Sequence, residues 1–275
     1  MPPMPPILDD DDRPIGRVLT RREVLALFGA AAGAGVLAAC SPGSLVGASA
    51  SPSASTGSAP TAAATAAAVA SGSAAVPSCV VRPALTEGPY FVDEMLQRSD
   101  IRSDPGDGSV QPGVPLALSF AVSHVQGTSC TPLVGALVDV WHCNATGVYS
   151  DVSDPGFSTQ GKKFLRGYQL TDANGAAKFA TIYPGWYQGR TVHIHFKIRT
   201  APEADSAHEF TSQLFFDDAL SDAVFAKQPY SSKGQRTTRN ANDGIFAGSG
   251  GQLTLAPTPS GDGYAATFDV GVQIG

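Results

Sequence analysis

Hydrophobic positions in the C-terminal part of the chain recur every second residue. Leu116, Leu118, Phe120 and Val122 alternate with smaller or polar partners, the period of a strand with one buried face. The same reading predicts strands over Gly135–Asn144, Lys163–Thr171, Lys178–Tyr183, Thr191–Thr200, Glu209–Phe216, Gln252–Ala256 and Ala265–Ile274. Turn clusters such as Asp172-Ala173-Asn174-Gly175, Tyr183-Pro184-Gly185 and Pro259-Ser260-Gly261-Asp262-Gly263 separate them. Asp218–Lys227 is the one stretch that reads as a short helix. About eight short strands with so little helix predict an all-β fold: an antiparallel β-sandwich with long loops and at most short helices. The Gly/Asn/Ser-rich stretch 231–251 reads as an ordered surface loop, and its composition assigns it no role.

The N-terminal part follows a different pattern. Arg13, Arg17, Arg21 and Arg22 precede the uncharged run Val24–Ala39, so residues 1–40 read as an export signal. The run is too short and too rich in Ala and Gly to be a permanent membrane span. Thr-Arg-Arg-Glu-Val-Leu-Ala around Arg21-Arg22 resembles a twin-arginine signal. Leu37-Ala38-Ala39-Cys40 resembles a bacterial lipoprotein processing box, which would leave a lipidated Cys40 as the chain's membrane contact. Residues 41–78 carry no charge and consist almost entirely of Ala, Ser, Gly, Thr and Pro, the composition of a flexible tether. The folded domain is then 79–275. The expected address is outside the cytoplasm, at the outer face of the cytoplasmic membrane or secreted.

A formal net charge of −6 argues against nucleic acid as a partner. In an oxidising compartment two of Cys79, Cys130 and Cys143 can pair, and the sequence leaves the choice open, as it does the oligomeric state.

Candidate chemistry concentrates in 184–197. From Val192 onward the alternation places Val192, Ile194, Phe196 and Ile198 toward the core and His193, His195, Lys197 and Arg199 on the opposite face. Histidines at i and i+2 of a strand project the same way and can take two cis positions on one metal. A lone His-x-His is a weak signal. Its context adds Tyr187, three residues after the Pro184-Gly185 turn, and a second segment, Val138–Ser150, that runs a strand into a turn bearing Tyr149. Taken singly, each tyrosine reads as a packing residue. His142 reads as a core histidine, His124 and His208 as surface or loop residues, and Asp217-Asp218 as a helix cap. Glu87 and Tyr90 fit either a pocket mouth or the turn around Gly88-Pro89.

Six ordered segments resemble the intradiol ring-cleaving dioxygenases, the family of catechol and protocatechuate dioxygenases, and especially its exported single-domain branch. They are Leu85–Tyr90, Pro132–Ser150 with Asp139-Val140-Trp141-His142, Phe164-Leu165-Arg166-Gly167, Pro184-Gly185-x-Tyr187, Arg190-x-x-His193-x-His195-Phe196 and Thr211–Phe216. The resemblance implies one non-haem Fe(3+) per chain held by Tyr149, Tyr187, His193 and His195, with Tyr187 the ligand that leaves on substrate binding. It also implies a catalytic role for Tyr187, for Arg190, which would stabilise charge on the substrate ring, and for Gln213. The implied substrates are a small aromatic diol and O2. The tether stands where cytoplasmic members carry a helical region or a partner subunit, so the resemblance does not name the diol.

These residue types suit that ion. A hard trivalent cation prefers anionic oxygen and drives a phenol with an ordinary pKa near ~10 to phenolate. Two phenolates and a hydroxide balance its charge, and two neutral imidazoles complete the site. Two other classes compete: a non-catalytic extracellular β-sandwich binding catecholates or carbohydrates, and a Cu or Zn protein using His193 and His195. Softer metals gain little from two tyrosines.

Overall fold

Side chains that alternate between core and surface in the sequence become two stacked sheets in the structure, a computed structural model that describes residues 80–200 and 208–274. The predicted export signal 1–40 and tether 41–78 lie outside the described residues. The strands are β1 (Pro115–Gln126), β2 (Ser129–Pro132), β3 (Leu137–Trp141), β4 (Ser153–Asp154), β5 (Phe157–Ser158), β6 (Arg166–Leu170), β7 (Ala176–Ile182), β8 (His193–Thr200), β9 (His208–Phe215), β10 (Thr258–Ser260) and β11 (Gly263–Val272). Helix α1 (Asp218–Phe225) follows β9, and a short α2 (Gly244–Gly248) lies in the long loop. Asp217 caps α1 by accepting from Ala219 N and Leu220 N, as the sequence suggested.

One sheet runs β10-β11-β1-β2 with β7 also paired to β1; the other runs β6-β3-β8-β9. Their inner faces meet at Phe120, whose ring centroid lies 5.2 Å from that of Phe196, while Phe196 lies 5.7 Å from Phe268. Leu118, Val122, Val138, Val140, Ile194 and Val270 fill the same buried cluster. The all-β sandwich is thus the observed fold.

Three expectations needed correction. The ladder between β1 and β11 is parallel, pairing Leu116 with Tyr264 through His124 with Val272, so the sandwich is not wholly antiparallel. Residues 252–256 form no strand. Leu253 and Leu255 are buried, but Gly250 and Gly251 at φ 58° and 77° turn the chain, and one bridge to Phe215 remains. His124 lies in β1 and His208 at the start of β9, both half-buried, where surface or loop positions were expected.

The polar face of β8 is also buried. Residues 85–93 lie across it: Leu85 N donates to Thr211 O at 2.9 Å, and Lys197 Nζ sits 4.2 Å above the Phe91 ring and 2.8 Å from Glu87. Arg199 pairs with Asp93 at 2.7 Å and with Asp139 at 3.2 Å. Alternation separated the two faces correctly, but it could not show that the second face is roofed by a distant segment.

Burial pushes the Asp139 carboxyl up to about 7, outweighing the attraction of Arg199. The folded state then binds a proton between about pH 4 and 7 that the unfolded chain has released, so this group favours folding on acidification and loses that effect as pH rises through the window. Asp139→Asn is expected to raise the melting temperature more at pH 8 than at pH 5, by on the order of 2 kcal/mol or several degrees. Equal gains at both pH values would contradict a raised Asp139.

Candidate metal centre

Two turns and one strand assemble the centre. Tyr149 follows a turn closed by Gly147 N donating to Asn144 O at 2.8 Å and by Asn144 Oδ1 accepting from Thr146 N and Val148 N. Tyr187 follows the Pro184-Gly185 turn. The turns press against each other: a Cβ at Gly147, itself at φ 80°, would lie 2.1 Å from Trp186 O, and one at Gly185 would lie 2.3 Å from Asn144 O. Both glycines are therefore demanded by close backbone approach.

The two tyrosines meet the two histidines of β8. Ring centroids of Tyr149 and Tyr187 are 5.7 Å apart, those of Tyr149 and His195 6.2 Å, and those of Tyr187 and His193 5.5 Å. Tyr187 Oη lies 3.2 Å from His193 Nε2, which lies 3.0 Å from His195 Nε2. His193 Nδ1 donates to Thr191 O at 2.6 Å, which leaves Nε2 as the nitrogen with a free lone pair. Trp141, opposite His195 in the β3–β8 ladder, stacks on its ring at 5.0 Å and 6°.

Tyr149, His193 and His195 are buried, and Tyr187 is half-buried. Tyr149 Oη is buried without a hydrogen-bond partner. Burial pushes the Tyr149 and Tyr187 phenols up and both imidazoles down, with the Arg190 charge also lowering His193 and the His193 charge lowering His195. Four groups kept neutral by burial thus converge, two of their contacts being hydrogen bonds to His193 Nε2 and only Tyr149 Oη lacking a partner, an arrangement whose preference for the neutral forms a cation would reverse. Among the described residues no cluster of three or more His, Cys, Asp or Glu could hold a metal, so the phenols are needed to complete a donor set.

The Dioxygenase family profile matches residues 86–236, which include all four of these residues. An intradiol ring-cleavage dioxygenase from Tetranychus urticae is 30% identical, with 71% of this chain covering 95% of that one at a TM-score of 0.60. The chain belongs to the intradiol ring-cleaving dioxygenase family. The dioxygenase domain of a carbohydrate-binding fusion protein from Streptomyces sp. SirexAA-E is 28% identical, covering 71% of this chain and all of that domain at a TM-score of 0.51. Catechol 1,2-dioxygenase 2 of Acinetobacter lwoffii is 31% identical over 160 residues, 49% of this chain and 51% of that protein. The chain spans about half the length of the curated relatives it matches.

In this dioxygenase-family chain the other predicted residues gather at the same end of β8 and β9. The β8–β9 register sets Gln213 opposite His195, and Gln213 Oε1 accepts from Arg190 Nη2 at 2.6 Å while Nε2 donates to Thr86 O at 2.9 Å. Tyr90 stacks on Tyr149 at 4.6 Å and donates to Asp154 at 2.6 Å. Glu87 turns away to Lys197. His142 is a satisfied core histidine, bonded to Cys143 O and Thr181 Oγ1. Cys143 is a free buried thiol and Cys130 is disulfide-bonded.

Sequence reasoning missed Trp141 as the plate behind His195, and it missed Lys233. Lys233 Nζ donates to Thr146 O and Trp186 O, both at 2.7 Å, and lies 4.7 Å from the Trp186 ring. One ammonium thereby ties the two tyrosine-bearing turns together. Lys233→Met removes both bonds and is expected to cost about 1–3 kcal/mol, several degrees of melting temperature in the metal-free protein. An unchanged melt would show that the bridge carries no stability.

Proposed function

We propose that the chain is an exported intradiol dioxygenase that holds one non-haem Fe(III) through Tyr149, Tyr187, His193 and His195. It would cleave a small aromatic diol between its two hydroxyl-bearing carbons, inserting both atoms of O2 to give a muconate-type diacid. The observation that carries this reading is the meeting of the unpartnered Tyr149 Oη with Tyr187 Oη and two imidazole nitrogens 3.0 Å apart. Both imidazoles offer ring nitrogens to the same point, so His193 and His195 would hold the ion together with the two phenols. Two phenols beside them favour a hard ion over Cu or Zn.

When bound, Fe(III) supplies the Lewis acidity that keeps both phenols as phenolates and lets a diol chelate as its dianion. The chain's own residues do the rest. Tyr187 is carried on a turn and is the most exposed of the four, so it would be the residue able to swing away, its Oη taking one of the two protons the arriving diol gives up while the displaced hydroxide takes the other. Arg190 keeps a permanent positive charge beside the site, where electron density builds on the ring. Gln213 bonds that guanidinium, the Thr191 carbonyl orients His193, and Trp141 holds the plane of His195.

The basic, Arg21-Arg22-bearing signal and the small-residue box before Cys40 support an address outside the cytoplasm, with Cys40 lipidated. A Cys40→Ser chain should leave the membrane fraction; its retention there would remove the lipid anchor.

The spectrum of the purified, iron-loaded protein tests the site. A red-brown absorption from phenolate ligands that shifts on anaerobic addition of catechol is the expected result. A colourless protein with stoichiometric zinc would sink the ferric reading, and a coloured protein that consumes no O2 with any catechol would leave a binding module.

A further inference from the structure

The loop between α1 and β10, which carries Lys233, also places two residues that grip the segment entering β8. Asp243 Oδ2 accepts from Arg190 Nε at 2.9 Å and from Thr191 N at 2.8 Å, while Oδ1 accepts from Ile245 N and Phe246 N at 2.9 Å. Its side chain is 1% exposed and that of Arg190 16%. Three residues earlier, Asn240 Oδ1 accepts from Thr191 Oγ1 at 2.6 Å, and Asn240 Nδ2 donates to Phe216 O at 2.8 Å. Thr191 in turn offers the carbonyl that holds His193 Nδ1.

We propose that Asp243 is the positioning residue for Arg190: its buried carboxylate, locked to the start of α2, aims the guanidinium at the substrate position. Arg190 is held from two sides, by Asp243 through Nε and by Gln213 through Nη2. A guanidinium is planar, so two partners on different nitrogens fix both its position and its tilt. One partner alone leaves rotation about the remaining bond. The inference rests on the proposed role of Arg190. It adds that the charge is fixed by a residue 53 positions away, and that the long loop serves as a brace.

Misplacing a catalytic group by about 1 Å costs on the order of 100-fold in rate. Asp243→Asn keeps a good cap for α2 but cannot accept from Arg190 Nε and Thr191 N while also capping with its single oxygen. The test is a double-mutant cycle of Asp243→Asn and Arg190→Ala on the iron-loaded full chain, with catechol as substrate. The expected result is a kcat for Asp243→Asn about 10–100-fold below wild type, with KM changed less than threefold and the resting visible spectrum unchanged. Adding Asp243→Asn to Arg190→Ala should slow the enzyme by less than about twofold further. A wild-type rate for Asp243→Asn, or losses that multiply in the double variant, would overturn the inference while leaving the function intact. A wild-type chain inert toward catechols would remove the function and the inference together. A second readout needs no variant: the Arg190 Nε–H of the metal-free protein should be protected from solvent exchange, and fast exchange would contradict the brace.

Discussion

Tyr149→Phe is expected to remove much of the visible absorption and the turnover of the iron-loaded protein while leaving the metal-free fold as stable as before, or more so. The two halves of this result come from one atom. Tyr149 Oη is buried and has no partner. Removing it from the metal-free protein deletes a buried hydroxyl that makes no well-formed hydrogen bond, and burying such a group costs about 1–3 kcal/mol. The ring remains packed on Tyr90 at 4.6 Å. If the oxygen is an iron ligand, the same change removes a negative charge from the site, and iron retention should fall by more than the ~10–100-fold that losses outside the ligand set produce. Metal analysis, the visible spectrum and a thermal melt of the two forms read the split. A variant that keeps iron, colour and rate would take Tyr149 out of the site. One that unfolds would make it an ordinary core residue.

Arg190→Ala is expected to separate colour from chemistry in the opposite sense. None of the four proposed iron ligands is touched, so the resting spectrum should persist. The positive charge held by Asp243 and Gln213 disappears, and turnover should fall by about 100–1000-fold, the scale found when one pre-positioned electrostatic contact is lost. The substitution takes the ion-pair partner from the buried Asp243 carboxylate, which keeps only its three backbone donors, and this costs up to about 3–5 kcal/mol. Rates must therefore be read per folded, iron-loaded chain, below the lowered melting temperature. An Arg190→Ala enzyme as fast as wild type would remove Arg190 from the reaction.

The sandwich and the centre were legible in the sequence to different depths. Period-two alternation located β1, β3, β7, β8, β9 and β11 because each presents at least one apolar face, while β6, with Arg166 and Gly167 buried and Leu170 exposed, was located without one. β2 and β10 escaped because Ser129–Pro132 and Thr258–Ser260 are mostly exposed edge pieces without that signature. Leu253 and Leu255 mimicked a strand because burial alone also produces alternation. The tyrosines, the histidines and Gln213 were singled out because short motifs carry them, but the β8–β9 register that sets Gln213 opposite His195 was not readable from those motifs. Lys233 and Asp243 were not: they act across 87 residues to Thr146 and 53 residues to Arg190, and nothing local distinguishes them from other polar loop residues. The parallel β1–β11 ladder was hidden for the same reason, since strand direction depends on how the ends of the domain return to each other.

A single turnover under isotopically labelled oxygen tests the central claim most directly. Iron-loaded protein is mixed anaerobically with catechol, exposed to 18O2, and the product is analysed by mass spectrometry. An intradiol cleavage predicts a muconate-type diacid carrying both labelled oxygen atoms, formed in amounts stoichiometric with bound iron. Catechol recovered unchanged, or a product lacking the two labels, would contradict it.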